Sequence, residues 1–510
     1  MKSLTRRILP ALVCLALLAG AASAQDVTSF EKRITLKKLP NGLTLLICER
    51  PEAPVFSFFT HVDVGAAQDP QGASGLAHMF EHMAFKGTNQ IGTSDYAKES
   101  AALAKVEAAY AAYDAERRRP SGSDQKKLAA LEKAWKDAIA AAEKYVKVDE
   151  FSQIVQRDGG VGMNAFTSED ETGYFYSMPA NRLELWAYLE SDRFLHPVMR
   201  EFYKERDVVY EERRMRIDSD PIGRLVEQFV GAAFIAHPYH NWGIGWPSDL
   251  TNFTASDAAE FYKKHYVPAN MVVTVVGDVK AKEALPILEK YFGRLPARPA
   301  PPPMRMVEPP QIGERTVVLR ETSQPIYLEG YHRPDSRDSD DAVYQAISDL
   351  LSNGRTSRLD RSLVRDKKIA AVAQGFNGFP GDKYPNLFAF FAIPTPGHTP
   401  AELRDATQAE IERVKNEDVS DEELQMIKTR SKADLIRKLN DNEGLALELG
   451  TTQARFGDWR ELFRRIDRID KVTKADIRRV AAKTFVANNR TVGMLENVKT
   501  PAPAAEGVKQ

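Results

Sequence analysis

The chain is 510 residues long, 43% hydrophobic and 28% charged, with a formal net charge of −1. It has no basic excess, which argues against a nucleic-acid partner. It is too long for one hydrophobic core, so two or more domains are expected.

Residues 1–24 read as a cleavable export signal. Lys2, Arg6 and Arg7 precede the apolar stretch 8–18, and Ala22-Ser23-Ala24 forms a small-residue cleavage site after Ala24. The apolar stretch is too short to span a bilayer, and no later run is long enough. Cys14 lies inside it rather than after a small-residue box, so no lipid anchor is expected. The mature chain is expected to be periplasmic or secreted, with a net charge of −4. Cys48 is then its one cysteine, which leaves no internal disulfide.

Residues 33–50 read as a hairpin around Pro40-Asn41-Gly42, and 55–64 as a strand. His78-Met79-Phe80-Glu81-His82 follows, an H-x-x-E-H box on a helix. His78 and His82 share one helical face and can supply two legs of a tetrahedral Zn²⁺ site. Glu81 lies on that face too, where it can act as a general base beside a metal that acidifies water. Residues 96–147 are rich in Ala, Lys and Glu, and break at Pro120-Ser121-Gly122-Ser123. Leu103, Val106, Tyr110 and Tyr113, then Leu128, Leu131 and Trp135, follow helical spacing, so the segment reads as a helical-hairpin insert. It is either a packed surface feature or a partner-binding or gating arm. Residues 166–178 read as one strand.

Glu205 and Glu212 lie seven apart on a helical segment, two turns along one face. One carboxylate can bind metal while the other hydrogen-bonds a histidine ligand. Spacing alone does not single out Glu212, because a Glu-rich run also reads as a charged, solvated helix face. Residues 271–276 read as a strand. Residues 294–313 hold seven prolines and read as a semi-rigid linker.

Beyond it lie expected strands at 316–319 and 326–331 and a helix from Asp340. Tyr266-Val267-Pro268-Ala269-Asn270 recurs as Phe485-Val486-Ala487-Asn488-Asn489, 219 residues on, and Thr254 and Asp257 recur as Thr473 and Asp476. The fold class expected is α+β. Two homologous domains, 25–293 and 314–498, each carry a mostly antiparallel sheet with helices on one face. A disordered tail, 499–510, follows.

On these motifs the chain resembles the pitrilysin/insulinase family of zinc peptidases, the inverzincins, over almost its whole mature length. It looks like a two-domain bacterial processing-peptidase-like member. The resemblance implies one Zn²⁺ per chain on His78, His82 and Glu212, with Glu81 as base and Glu205 tuning the site. Glu212 lies 130 residues after His82, more than the family spacing by roughly the length of the insert. Gly87 and Gly354 are 267 apart, 48 more than the later repeats, an independent measure of that insert. Asn164 and Ala165 match the family's edge strand, where an extended peptide substrate adds as a further strand. His237-Pro238-Tyr239 matches a structural segment.

The resemblance implies a metalloendopeptidase for short or unfolded peptides, enclosed between halves or between chains. Residues 352–372 resemble a family segment ending L-R-x6-Y, whose Arg and Tyr reach the substrate and its oxyanion. Arg365 keeps the Arg, but Val372 stands where the Tyr belongs. Loss of one oxyanion donor typically costs about 10²–10³ in rate. The chain is therefore expected either to work as a monomer or homodimer with a weakened oxyanion site, or to pair with a homologous subunit that supplies Arg and Tyr. Gln345, Ser348 and Asp349 stand at the second half's box positions, where no metal is expected. The alternative class is a non-catalytic scaffold subunit.

Overall fold

A computed structural model describes residues 27–498; the expected export signal, 1–24, and the expected tail, 499–510, lie outside them. The first sheet is built from β1 (Ile34–Lys38), β2 (Thr44–Glu49), β3 (Val55–Val62), β4 (Val161–Thr167), β5 (Thr172–Pro179) and β6 (Met271–Gly277). The second contains β7 (Arg315–Glu321), β8 (Ile326–Arg333), β9 (Ala370–Phe379), β10 (Asn386–Pro394) and β11 (Arg490–Asn497). The strand orders are β1-β2-β6-β3-β5-β4 and β7-β11-β8-β10-β9. With β1 set aside the two orders correspond, and in each the one parallel pair falls at the same place, β2 with β6 and β7 with β11.

The stretch expected as one strand at 166–178 is instead a hairpin. The Ser168 Oγ accepts hydrogen bonds from the backbone N–H of Asp170 and of Glu171, and folds Ser168–Glu171 into a turn between β4 and β5. Four polar residues in a row carry that turn signal. β4 thereby becomes an edge strand.

The helices that matter for the site are α1 (Leu76–Met83), α2 (Tyr96–Arg117), α3 (Gln125–Glu143), α4 (Phe202–Arg213), α5 (Pro221–Ala233), α6 (Ala255–His265), α7 (Asp341–Ser352), α8 (Asn442–Phe456) and α9 (Lys474–Thr484). α2 and α3 form the hairpin insert. α6 and α9 open with matching capping boxes, Thr254 with Asp257 and Thr473 with Asp476. Asn270 and Asn489 repeat one hydrogen bond, to the carbonyls of His265 and Thr484.

Each sheet has its own helices on one face. The other face is covered by a helix of the other half. α8 lays Leu445, Ala446 and Leu449 against Leu46, Cys48, Phe59 and Val276 of the first sheet. In exchange, α5 lays Leu225, Phe229 and Val230 against Leu328, Leu387 and Leu495 of the second. Fully burying each large apolar side chain is worth roughly 1.5–3 kcal/mol, so the halves stabilise each other. The proline-rich segment carries no helix or strand from 296 to 314 and is tied down. Glu308 accepts from the backbone N–H groups of Ile235, Ala236 and His237, and Gln311 donates to the Arg490 carbonyl. No helix among the described residues is long and apolar enough to cross a membrane.

Candidate active site

Leu76, Met79, Phe80 and Met83 form the apolar stripe of α1 and are buried in the first core. Asp69 caps the helix from outside, accepting from the N–H groups of Gly75 and Ala77. That fixes the helix and leaves His78, Glu81 and His82 on the side turned to α4 and β4. The two imidazole rings meet edge-on, with centroids 4.8 Å apart.

α4 brings Glu212 to both rings. Its Oε2 lies 3.7 Å from His78 Nε2 and 3.6 Å from His82 Nε2. One ligand atom from each of the three falls within 4.8 Å of the others, the one such cluster of His, Cys, Asp or Glu among the described residues. Zinc bonds of about 2.0–2.2 Å to N and O put tetrahedral donors roughly 3.3–3.6 Å apart. Two imidazoles and a carboxylate at this spacing fit Zn²⁺ and leave a fourth position open.

Neighbouring groups hold the donors. Glu205 Oε1 lies 2.9 Å from His82 Nδ1, which turns Nε2 toward Glu212. Lys86 Nζ binds the other Glu205 oxygen at 2.6 Å. Arg216, on the π-helical turn after α4, binds Glu212 Oε1 at 2.9 Å and leaves Oε2 facing the histidines. Burial, with help from the nearby His82 and Arg216, pushes the His78 imidazolium down to about 3, so the ring is neutral and its lone pair free at neutral pH. Burial also works against the charged form of His82, but the Glu205 hydrogen bond and three carboxylates outweigh it and raise its pKa. Burial raises Glu205 less than His82 and Lys86 lower it, leaving it at about 2.

Glu81 is not a donor to the cluster. Thr167 Oγ1, at the end of β4, donates to Glu81 Oε2 at 2.6 Å. Burial raises the Glu81 carboxyl above the ordinary range, partly opposed by Thr167 and His82. That is the direction that suits a base working near neutrality.

Asn164 and Ala165 lie on β4, opposite Phe175 and Tyr174 of β5. The Ala165 N–H donates to the Asn164 side chain. Arg365 is not brought into the cluster: it is exposed on the π-helical turn Asp360–Asp366 and pairs with Asp360 at 3.2 Å. Val372 lies half-buried on β9, opposite Ile393 of β10. At the corresponding place on α7, Asp349 accepts from Ser431, Asn353 and Gln345. His237 is buried and accepts from the Tyr239 N–H.

Sequence reasoning passed over three contributors. Lys86 and Arg216 each stand four residues after a site residue, His82 and Glu212, so helical spacing could have found them. Thr167 reaches Glu81 only through the tertiary fold.

The two corresponding sheets define a fold built from two related halves. The model of the insulinase family, peptidase M16, matches residues 46–116, and that of the peptidase M16 inactive domain matches residues 252–431. The zinc protease PqqE of Helicobacter pylori is 30% identical over 443 residues, 85% of this chain and 86% of that protein. The mitochondrial-processing peptidase subunit beta of Saccharomyces cerevisiae is 22% identical over 488 residues, 90% of this chain and 89% of that one. Among solved structures, a protease from Helicobacter pylori superimposes with a TM-score of 0.76 at 28% identity, covering 91% of this chain and 99% of that one. The periplasmic protease PqqL of Escherichia coli shares the fold, with a TM-score of 0.67 at 18% identity, over 92% of this chain and 48% of that one. The chain belongs to the peptidase M16, or insulinase, family, whose named relatives include zinc proteases.

Proposed function

We propose that this chain is a zinc metalloendopeptidase that hydrolyses short or unfolded peptides. One observation carries the reading: Glu212, His78 and His82 converge on one point while Glu81 stands beside them, bonded to the edge strand β4. His78, His82 and Glu212 would hold one Zn²⁺. When bound, the ion supplies Lewis acidity toward a carbonyl oxygen and lowers the pKa of water toward neutrality. Glu81 exchanges its Thr167 hydrogen bond for the attacking water, takes its proton, and delivers it to the leaving amine. Glu205 keeps the His82 ring oriented. An extended peptide pairs with the open side of β4 near Asn164 and Ala165, which brings its scissile carbonyl past Glu81. The sequence signal and the periplasmic relative support an exported, periplasmic site of action.

Glu81→Gln keeps shape and removes the base. It is expected to retain zinc at the wild-type level and lose hydrolysis of an unstructured peptide. Hydrolysis at the wild-type rate would contradict the assignment.

Val372 and the position of Arg365 favour a second feature, a homologous partner subunit that supplies the oxyanion contacts. The purified chain alone is then expected to cleave peptide slowly and to gain rate with its partner. Full activity without one refutes the pairing and leaves a monomer or homodimer.

A further inference from the structure

Arg200 is 1% exposed and sits just before α4. All five of its N–H donors are used. Nε and Nη2 hold Glu99, in the first turn of α2, at 2.5 and 2.8 Å. Nη1 donates to the carbonyls of Lys86 and Ile91, and Nη2 to that of Thr88. Glu99 is itself wholly buried. The loop 86–92 leaves the box helix α1 and wraps the guanidinium with its carbonyls. Only glycine allows that approach: at Gly92, φ is 86° and an added Cβ would lie 2.6 Å from Nη1.

Three parts of the site meet at this one side chain. They are the exit of the helix carrying His78 and His82, the start of the helix carrying Glu205 and Glu212, and the hairpin insert. Lys86 is gripped at both ends, its carbonyl by Arg200 and its ammonium by Glu205. The insert touches α4 again one turn on. Tyr203 donates to Glu107 at 2.6 Å, and Arg206 donates to the Tyr110 hydroxyl at 2.8 Å.

We infer that Arg200 and Glu99 are positioning residues for the metal site, and that the hairpin insert is a buttress that fixes α4 against α1. The inference rests on the zinc reading above. A planar fork with five satisfied donors defines orientation as well as distance, which a lysine at this place could not do. Moving α4 by a fraction of an ångström moves Glu212 relative to both imidazoles.

The test is zinc affinity, measured by competition with a chromogenic chelator on the full metal-free chain, below its melting temperature. Glu99→Gln keeps the shape of the pair and removes its charge. Tyr203→Phe deletes the second tie with almost no change in volume. Each variant is expected to weaken zinc binding about tenfold or more, as loss of groups supporting metal ligands does. Lys133→Ala, on the exposed side of the insert, is expected to leave the affinity unchanged. A merely structural role would lower the melting temperature and leave the affinity of the folded protein alone. Folded variants that bind zinc within twofold of wild type overturn the inference. If Glu99→Gln does not fold, Tyr203→Phe decides. A wild-type chain with no zinc affinity overturns the zinc reading and the inference together.

Discussion

Glu81 and Glu205 are two carboxylates beside the same histidine, and their surroundings drive them in opposite directions. Glu205 faces Lys86 and His82 and stays ionised to about 2, as suits a group that only orients a ring. Burial drives Glu81 the other way, toward the range where a base can take and return a proton. Removing such a base usually costs about 10²–10⁴ in rate. Glu81→Gln is therefore expected to lower kcat by at least that order while metal content, read by elemental analysis, holds. The H-x-x-E-H spacing was legible because it is local, and residues 76–83 form the helix expected for it. The pairing of Glu212 with that box crosses 130 residues. Spacing made Glu205 and Glu212 a candidate pair, and only the family resemblance singled out Glu212 as the ligand. Thr167 was legible as a strand residue only, since nothing local ties it to Glu81.

At the scale of elements, the edge strand β4 is where substrate recognition would lie. Edge positions tolerate proline when their N–H is not needed by the ladder. The Ala165 N–H donates to Asn164 rather than to a neighbouring strand. Ala165→Pro is expected to leave the folded structure intact by circular dichroism and to raise KM several-fold with a smaller effect on kcat. An unchanged KM would remove β4 from substrate binding. The capping boxes at Thr254 and Thr473 were readable because capping is written into four consecutive residues. The hairpin at Ser168–Glu171 was missed because apolar and aromatic residues on both sides of the turn read as one continuous strand. The partners of α5 and α8 were also hidden. Periodicity says that a helix buries a face, not which sheet it buries it on.

The whole molecule is held by that exchange of helices and by a charged seam between the halves. Asp170, in the turn after β4, accepts from the Tyr239 hydroxyl at 2.6 Å and from the backbone N–H groups of Asp382 and Lys383 in the second half. Next to it, Glu171 lies 2.9 Å from His61 and faces Arg455 and Lys383. Burial raises the Glu171 carboxyl, but His61, Arg455 and Lys383 together lower it below its ordinary value of 4.5. A depressed carboxylate contributes stability that is fully present above its unfolded pKa and lost as pH falls through the folded one. Stability is therefore expected to fall as pH drops below about 4.5, and Glu171→Gln should flatten that slope. Urea midpoints measured across this range check it, and an identical slope in the variant would take Glu171 out of the seam. The seam also bears on the site, because the turn it anchors begins one residue after Thr167.

The central claim is that His78, His82 and Glu212 form a zinc centre, and the most direct measurement is the zinc content of the purified full chain by elemental mass spectrometry. One zinc per chain is the result expected, falling to near zero in His82→Ala. A chain that stays metal-free after zinc loading, or a His82→Ala variant that keeps a full equivalent, would contradict it.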